Sequence, residues 1–509
     1  MTVVETTLGK LRGQDNGGVH VFRGIRYGAD TGGENRFRPP VAPAPQPGIT
    51  EAVRPGASAP QLPRPHNTDP FFSWYSQIEP VSEDCLFLNV FTPASDAARR
   101  PVLFWIHGGG WREYAGSAPG FDGSRLAQSQ DVVVVTINHR LNVFGFLALE
   151  TDDPRFADSA NVGILDIVAA LEWVRDNIAA FGGDPDNVTL FGESGGASKI
   201  AALMATRHAK RLFHKAIIES SGGGLKLATR EEALGFAGAL AGSLGVDRPD
   251  PAALQALPMD RILSAITPLG ISYRASLDGR TFTHHPFDGA PPPEAAGLPV
   301  MTGCTRTEAT YYMRDDPANF DLPRDEVIRR LRSLLETDPE TATQIHKRYR
   351  SVYPDESHSM LMFLAASDFI FKKTTWGMAE MQSRQAPAWA FHFEWNTPVE
   401  GGRMGAVHTL EVPFVFGTTA AARPCIGDGP EVEPLAERMM ATWAAFARQG
   451  DPNNASLPAW PQYSATDRAT MILDTECRVE SDPGSAARAA LDLVAPFGYQ
   501  HNLSAISQP

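Results

Sequence analysis

The sequence predicts an α/β protein in which a mostly parallel central sheet is covered by helices. The first observation is a series of short, almost wholly apolar runs, such as Pro101–Ile106 and Asp131–Ile137, which are typical of strands buried on both faces. The second is the segment 163–181, whose apolar residues recur at helical spacing. Strands and helices that alternate along a chain form parallel sheets, and the sites of such sheets lie at the carboxyl ends of the strands.

The remaining elements extend this pattern. Asn187–Phe191 is predicted as a third strand, the helix Ala197–Met204 follows it, and Phe213–Ile218 is a candidate fourth strand. Beyond about Gly222 the pattern loosens, with helices predicted at 230–244, 324–337 and 434–449 and short strands at 300–303 and 390–393. We expect this helical C-terminal half to pack over the edge of the sheet that carries the site, and residues 1–509 to form a single domain.

Composition and charge exclude several classes of protein. The 509 residues are 43% hydrophobic and 20% charged, which is ordinary for a globular chain and unlike a disordered or fibrous one. The formal net charge of -14 argues against binding to nucleic acids or anionic membranes, since both attract basic surfaces. No run approaches the roughly 18 apolar residues of a membrane span, and the start of the chain lacks the basic and apolar segments of a signal peptide.

The four cysteines are widely scattered, at Cys85, Cys304, Cys425 and Cys477. They form neither a C-x-x-C pair nor a metal-ligand spacing with histidine, so the sequence predicts no metal site. One or two disulfides are the alternative to free thiols, and reduced thiols in a reducing compartment are the simpler interpretation. We therefore expect a cytoplasmic protein.

The motif that carries chemistry is Gly192–Gly196, which places Ser194 at the centre of a G-x-S-x-G pattern. Alone this pattern is weak, because a glycine-rich turn between a strand and a helix would produce it without any function. Here a predicted strand enters the motif and a predicted helix leaves it, as the nucleophile elbow of a hydrolase requires. The serine of such an elbow sits on a strained turn. Ser194 is therefore the candidate nucleophile.

A serine hydroxyl attacks a carbonyl carbon only with a base to accept its proton and donors to hold the developing oxyanion. The run His107–Trp111 contains three consecutive glycines directly after a predicted strand. Because glycines leave their backbone N–H groups accessible, Gly109 and Gly110, together with the N–H of Gly195, are candidate oxyanion donors. The alternative is a tight loop that needs glycine for positive φ angles, which would explain one or two of the three.

These motifs and their surroundings make the chain similar to the type-B carboxylesterase family of the α/β-hydrolase fold, which includes bacterial para-nitrobenzyl esterases and the cholinesterases. The resemblance covers nearly the whole chain, and its most specific segment is Asn177–Gly195. The other matching segments are residues 9–13, 22–27, 82–90, 107–111, 138–141, 213–216, 443–447 and 460–461. The resemblance implies an α/β-hydrolase fold with helical insertions over the catalytic edge, and a serine esterase activity that needs no cofactor.

The resemblance also nominates the partners of the nucleophile, which spacing alone could not select among 13 histidines and 59 acidic residues. The acid of the family follows a strand in a glycine-led loop, and Val300–Glu308 fits this pattern. The histidine of the family precedes a stretch that Gly405–Gly417 resembles. Glu308 is thereby implied as the orienting acid and His408 as the general base, in the chain order of this fold.

The resemblance implies two supporting residues, and the chain departs from the family pattern at two positions. Glu193 is implied as a buried carboxylate beside the site, with Ser220 as its hydrogen-bond partner. Gly195 stands where the family more often has alanine, which should preserve the N–H donor. In secreted members a cysteine at the position of Cys85 pairs with one upstream, but residues 56–61 contain none, which agrees with the cytoplasmic interpretation.

Aromatic residues near the site are candidates for a substrate pocket. Trp111 ends the glycine run, and Phe72, Trp74 and Tyr75 occupy an aromatic segment upstream. They either line the mouth of the pocket or pin their loop to the core. Cholinesterases hold quaternary ammonium groups on aromatic faces, but the positions of Trp74 and Tyr75 are too little to predict choline specificity.

The predicted function is hydrolysis of small-molecule carboxylic esters through an acyl-enzyme, with no cofactor, no nucleic-acid partner and no membrane partner. One alternative keeps the same triad but acts mainly on carbamates, amides, thioesters or lactones. Another is a catalytically inactive binding protein, since this fold has such relatives, and it predicts a lost triad residue. The sequence leaves the natural substrate open, and the protein is either a monomer or a small homo-oligomer.

Overall fold

The computed structural model describes residues 2–62, 69–76, 80–222, 225–270 and 274–498. One large sheet runs through these ranges and combines strands from both halves of the chain. Its strands are β1 Thr2–Thr6, β2 Gly9–Asp15, β3 His20–Arg26, β4 Ile49–Glu51, β5 Phe87–Thr92, β6 Arg100–Ile106, β7 Val133–Ile137, β8 Gly183–Glu193, β9 Lys215–Glu219, β10 Val300–Thr305, β11 Ala388–Phe393, β12 Ala469–Leu473 and β13 Arg478–Ser481.

Helices fill most of the connections between these strands. The α-helices of the described ranges are α1 Ser73–Ser76, α2 Ser124–Gln130, α3 Asn142–Gly145, α4 Val162–Asn177, α5 Gly195–Met204, α6 Arg230–Leu244, α7 Pro251–Gln255, α8 Met259–Ile266, α9 Thr310–Met313, α10 Arg324–Leu334, α11 Pro339–Val352, α12 His358–Ser367, α13 Lys373–Gln382, α14 Val412–Phe416, α15 Arg423–Ile426, α16 Val432–Gln449 and α17 Ser485–Arg488. A π-helical turn, Asp368–Lys372, joins α12 to α13. None of the helices described here is both long and apolar enough to cross a membrane.

The centre of the sheet is parallel and its flanks are antiparallel. The strand order is β1-β2-β3-β5-β7-β6-β8-β9-β10-β11-β12-β13, with β4 paired to β2. Neighbours from β7 to β12 along this order run parallel, whereas β5 is antiparallel to β7 and β13 is antiparallel to β12. The predicted α/β class with a mostly parallel central sheet is thus confirmed.

Successive residues of the central strands face two separate apolar cores, because side chains alternate across a strand. In β6, Val102 and Phe104 contribute to a core shared with helices α4 and α5. Leu103 and Trp105 of the same strand contribute to a second core, shared with α14 and α16. From Pro101 onward β6 is buried on both faces, and burial on both faces is the physical reason for the continuous apolar runs of the sequence.

The predicted strands and helices all occur, with shifted ends. The helix predicted over 163–181 ends as an α-helix at Asn177 and continues as a short 3-10 turn, Ile178–Phe181. The antiparallel strands β1 and β2 have no counterpart among the predicted elements. Their residues are mostly exposed or half-buried, so they lack the apolar runs by which the buried strands were found.

The parallel centre of the sheet brings distant residues to one edge. The strands β6, β8, β9 and β10 are neighbours in that order, and their carboxyl ends lead into His107, Ser194, Ser220 and the loop of Glu308. Helices α9 to α13 lie between β10 and β11 in the sequence. They include residues packed on His408, as Phe371 of the π-turn lies with its ring 4.9 Å from the imidazole, so the expected helical insertion over this edge is present.

Candidate active site

Ser194 sits on a strained turn between β8 and α5. Its backbone has φ 55° and ψ -120°, a conformation that non-glycine residues rarely adopt and that costs about 1–3 kcal/mol. The glycine two residues later leaves room for this turn, since a Cβ on Gly196 would lie 1.9 Å from the carbonyl oxygen of Ile106 in β6. The elbow predicted from the G-x-S-x-G pattern therefore has a steric cause: β6 and α5 pass too closely for a side chain.

Three side chains from separate segments meet at this turn. His408 Nε2 lies 2.9 Å from Ser194 Oγ, and His408 Nδ1 hydrogen-bonds Glu308 Oε2 on the other side of the ring. His408 is 3% exposed and Glu308 is fully buried, so water competes little for these hydrogen bonds. The arrangement can move a proton from the hydroxyl to the imidazole while the carboxylate stabilises the resulting positive charge.

Glu308 is held by donors other than His408. Its Oε1 accepts the Thr305 N–H at 2.8 Å and the Ser220 hydroxyl at 2.6 Å. The expectation that Ser220 bonds Glu193 is therefore wrong. Ser220 begins the loop after β9 with φ 52°, and this turn directs its hydroxyl toward the loop of the neighbouring strand β10. The result is a carboxyl group with hydrogen bonds on both oxygens, which fix its orientation toward the imidazole.

Three more buried glutamates surround this group, and sequence reasoning found one of them, Glu193. Its Oε2 accepts the Tyr75 hydroxyl at 2.8 Å, and its Oε1 lies 3.2 Å from His408 Nε2. Burial, together with the nearby negative charge of Glu308, raises the pKa of Glu193 well above its ordinary value. This shift favours the protonated form of Glu193.

The other two, Glu219 and Glu411, were missed. Glu219 Oε1 accepts the Trp443 indole N–H at 3.1 Å, and burial raises the pKa of Glu219 to about 8. Burial also raises the pKa of Glu411 well above its ordinary value. Their positions in the sequence could have indicated them. Glu219 ends an apolar strand at the carboxyl edge of the sheet, and Glu411 follows His408 by three residues.

The segment His107–Trp111, here called the oxyanion loop, follows β6 and faces the start of α5. Gly109 and Gly110 have φ angles of 83° and 63°, and among the described residues none accepts a hydrogen bond from their N–H groups. A Cβ on Gly195 would lie 2.5 Å from the Gly110 nitrogen. The backbone of Gly110 therefore lies against Gly195, next to Ser194, and the N–H groups of Gly109, Gly110 and Gly195 stay candidates to hold a negatively charged oxygen.

Steric need also accounts for the glycines of this loop. The positive φ angles explain Gly109 and Gly110, as the tight-loop alternative proposed. Gly108 has a different reason, since its Cβ would lie 2.0 Å from the Tyr75 hydroxyl. Each glycine thus lets the chain approach a neighbour or turn sharply, and within the described ranges the same geometry leaves the N–H groups of Gly109 and Gly110 without an acceptor.

A small cavity of about 70 Å³ opens onto Ser194 and His408. Of the predicted pocket residues, Phe72 and Tyr75 line it. Its other lining residues are Gly109, Gly110, Arg112, Glu113, Tyr114, Tyr311, Tyr312 and Thr409. Among these, the aromatic residues Tyr114, Tyr311 and Tyr312 were not predicted, because they become neighbours of the site only when α9 and the oxyanion loop fold together.

Trp74 and Trp111 do not line this cavity, so their assignment to the pocket was wrong. Trp74 is 1% exposed and packs in the apolar core with Phe121 and Trp105, which fastens the aromatic segment to the core. Its indole N–H donates to the Phe71 carbonyl of the same segment at 3.1 Å. Trp111 packs edge to face on Phe146, with ring centroids 5.0 Å apart. Both alternatives for the aromatic segment therefore hold, for different residues: Phe72 and Tyr75 line the pocket, and Trp74 pins the loop.

All four cysteines are unpaired, and Cys85, Cys304 and Cys425 are buried. Burial raises the pKa of the Cys85 and Cys304 thiols, so both are uncharged and unreactive at neutral pH. Cys304, close to Glu308 in sequence, packs within an apolar cluster with Ala309, Met313 and Phe371. It is a packing residue rather than part of the reactive group.

Comparisons with known proteins agree on the family. A model of the carboxylesterase family matches residues 1–489. The para-nitrobenzyl esterase of Bacillus subtilis (strain 168) is 36% identical over 502 residues, which cover 96% of this chain and 98% of that protein. The phenmedipham hydrolase of Pseudarthrobacter oxydans is 33% identical over 508 residues and covers 97% of each chain.

A solved structure also supports the assignment of the fold. The crystal structure of a Geobacillus stearothermophilus carboxylesterase at pH 6.2 superposes with a TM-score of 0.84 at 38% sequence identity, covering 96% of this chain and 100% of that one. Both the predicted α/β-hydrolase fold and the predicted family are confirmed. The chain belongs to the carboxylesterase family and is a carboxylic ester hydrolase.

Proposed function

We propose that the chain hydrolyses carboxylic esters with Ser194 as nucleophile, His408 as general base and Glu308 as the acid that orients the imidazole. The observation that carries this proposal is the pair of hydrogen bonds made by the His408 ring, to Ser194 Oγ at 2.9 Å and to Glu308 on its other side. A base at this distance can accept the hydroxyl proton directly. An inactive binding protein would have no reason to keep this buried arrangement on a strained turn.

The reaction proceeds in two acyl transfers. His408 Nε2 accepts the Ser194 proton while Oγ attacks the ester carbonyl carbon, and the carbonyl π electrons move to its oxygen. When this tetrahedral intermediate collapses, the bond to the alkoxy oxygen breaks and His408 returns the proton to the departing alcohol. Water then attacks the acyl-enzyme while His408 accepts a proton from it. When the second intermediate collapses, His408 returns this proton to Ser194 Oγ, and the carboxylic acid and free Ser194 are released.

The oxyanion of both intermediates is held by the N–H groups of Gly109, Gly110 and Gly195. The last of these opens α5, so the positive end of a ten-residue helix faces the same oxygen. Removing one such donor in a serine hydrolase costs about 2.7–4 kcal/mol of transition-state stabilisation. These donors act only on the charged oxygen of the intermediate, so they raise the rate without tightening the binding of the ester.

Two residues support this machinery. Ser220 donates to Glu308 and so holds the carboxylate in line with the imidazole. Glu193 is near His408 Nε2, and burial raises its pKa well above the ordinary value, which favours its uncharged form. An uncharged Glu193 does not compete with Glu308 for the imidazolium, so the ring keeps the orientation that faces Ser194.

We further propose that the substrates are small esters with short acyl groups and that the protein works in a reducing compartment, the cytoplasm. The acyl preference is supported by the small cavity of about 70 Å³ at Ser194, which is lined by the rings of Phe72, Tyr75 and Tyr312. The location is supported by four unpaired cysteines, since thiols persist where glutathione keeps them reduced.

The triad roles are tested with Ser194→Ala and Glu308→Gln on para-nitrophenyl acetate. We expect Ser194→Ala to lower kcat by about a thousandfold or more, and Glu308→Gln by a comparable factor because the wrong tautomer of His408 would be favoured. Ser198→Ala is the matched control, one helical turn beyond the nucleophile and outside the proposed machinery. Turnover by Ser194→Ala at the wild-type rate would refute the assignment of the nucleophile. If the wild-type protein hydrolyses only amides, carbamates or lactones, the proposed ester substrate class is wrong.

The role of Ser220 is tested by Ser220→Ala. Losing a hydrogen bond to a charged group is worth about 1.5–3 kcal/mol, so we expect kcat to fall by about tenfold to a hundredfold with KM nearly unchanged. The control is Ser221→Ala, since this neighbouring hydroxyl is equally buried but pairs with Ser198 at 3.4 Å. Equal kcat values for the two variants would contradict the proposed support of Glu308.

The acyl preference is tested with para-nitrophenyl acetate, butyrate and octanoate. We expect kcat/KM for octanoate to be at least about tenfold below that for acetate, because the longer chain exceeds the cavity and overpacking costs about 1–3 kcal/mol. Phe72→Ala should raise the octanoate to acetate ratio, whereas Phe71→Ala, which removes a neighbouring ring outside the cavity, should not. Octanoate as the best wild-type substrate would show that the acyl group binds elsewhere.

A further inference from the structure

The side chain of Lys199 lies against the oxyanion loop, and the mechanism above gives it no role. It belongs to α5, the helix that begins beside Ser194, and it is 0% exposed. Its Nζ donates to the Gly110 carbonyl at 2.7 Å and lies 3.5 Å from the His107 carbonyl. It is also 5.6 Å from the centroid of the Trp111 ring. Every one of these contacts is to the oxyanion loop.

The Lys199 ammonium has no carboxylate partner among the residues that the structure describes. A buried cation is otherwise paired with an acid, because removing it from water is costly. Here burial is the cause that lowers the pKa of Lys199 to about 7. The charge is stabilised by carbonyl oxygens and an aromatic face instead, so it remains available to act on a negative charge that forms during the reaction.

The other titratable groups that face Lys199 are His107, at the end of β6, and His139, after β7. Their rings are 4.9 Å apart. Burial and then the positive charge of Lys199 lower the pKa of His107 to about 3 and that of His139 well below its ordinary value. Both rings are therefore uncharged at neutral pH, and Lys199 is the member of this cluster whose charge changes there.

The contact made by Lys199 is tied to the glycine that follows the nucleophile. The Gly110 carbonyl oxygen that accepts from Nζ lies 2.1 Å from the position of a Cβ on Gly195. The loop can approach α5 this closely only because residue 195 has no side chain. The lysine and Gly195 are thus two parts of one arrangement, in which the loop is fixed against the first turn of the helix.

We propose that Lys199 is a positioning residue of the oxyanion hole, whose ammonium fixes the Gly110 carbonyl against α5 and adds a positive charge behind the developing oxyanion. This inference rests on the proposed ester hydrolysis. A neutral amine can still donate a hydrogen bond to Gly110, but it is a weaker donor and carries no charge. The lysine therefore supports the reaction most below its folded pKa, and that support is lost as the pH rises past it.

The first experiment compares wild type with Lys199→Met over pH 6–9. At pH 6 we expect the variant to lose about tenfold to a hundredfold in kcat/KM, the size expected for a charge-assisted hydrogen bond. The loss should shrink at least about threefold by pH 9, where wild-type Lys199 is itself uncharged. Since the lysine does not touch the ester, the loss should lie in kcat rather than KM.

The matched control is Lys215→Met. Lys215 is another buried lysine of lowered pKa, about 8, but it lies at the start of β9 and donates to Asn187, away from the catalytic edge. Its loss should change kcat/KM by the same factor at every pH. Where Lys199→Met does not fold, Lys199→Gln, which keeps a donor without the charge, gives the same comparison. A wild-type to variant ratio that is constant from pH 6 to pH 9 would overturn the proposal.

A double-mutant cycle with Gly195→Ala tests the geometry separately. In the wild-type background the new Cβ collides with the fixed Gly110, so activity should fall sharply. With Lys199→Met the loop is no longer held, so Gly195→Ala should cost at least about threefold less, a departure from additivity expected for residues in contact. Effects that multiply would contradict the coupling. The Ser194→Ala variant is assayed alongside as a control. Activity in that variant would contradict the proposed function. If the variant is inactive, the result of the cycle bears on the role of Lys199 alone.

Discussion

The imidazole of His408 is held between a hydroxyl and a carboxylate that come from distant parts of the chain, and the rest of the site depends on this contact. Ser194 is 214 residues from His408 in sequence and Glu308 is 100 residues away. The sheet brings them together because β8 and β10 are separated by the single strand β9 and end at the same edge. In water neither hydrogen bond would hold the imidazole in place. The apolar packing around the two bonds, including Phe371 and Tyr312 against the ring, therefore keeps the imidazole oriented for proton transfer.

The fold was predictable where burial requires a continuous run of apolar residues or a glycine. Strands such as β6 and β7 are almost wholly apolar because both faces are covered. The elbow at Ser194 is recognisable because β6 and α5 exclude side chains at Gly196. Half-exposed strands such as β1 have no such run. Glu308 and His408 could be named only through family resemblance, because the contact between them is decided by the whole sheet and not by local spacing.

The direction of a side chain depends on the turns of the folded backbone, which the pattern of residue types does not reveal. Ser220 was matched to the wrong carboxylate because its positive φ turns it toward Glu308. Trp74 and Trp111 were placed in the pocket although they pack into the core, while Tyr311 and Tyr312 from α9 were missed. Lys199 had no sequence signal at all, since a lysine on a helix is ordinarily exposed. The site thus combines strain, buried carboxyl groups and a buried cation, each of which lowers stability and is tolerated because two large apolar cores surround it.

The most direct test of this account is a crystal structure of the protein after reaction with a small para-nitrophenyl phosphonate, which mimics the tetrahedral intermediate. We expect phosphorus bonded to Ser194 Oγ, with the phosphonyl oxygen about 2.7–3.1 Å from the N–H nitrogens of Gly109, Gly110 and Gly195. His408 should remain between the adduct and Glu308. Phosphorus on another residue, or a phosphonyl oxygen that faces away from these three nitrogens, would contradict the central claim.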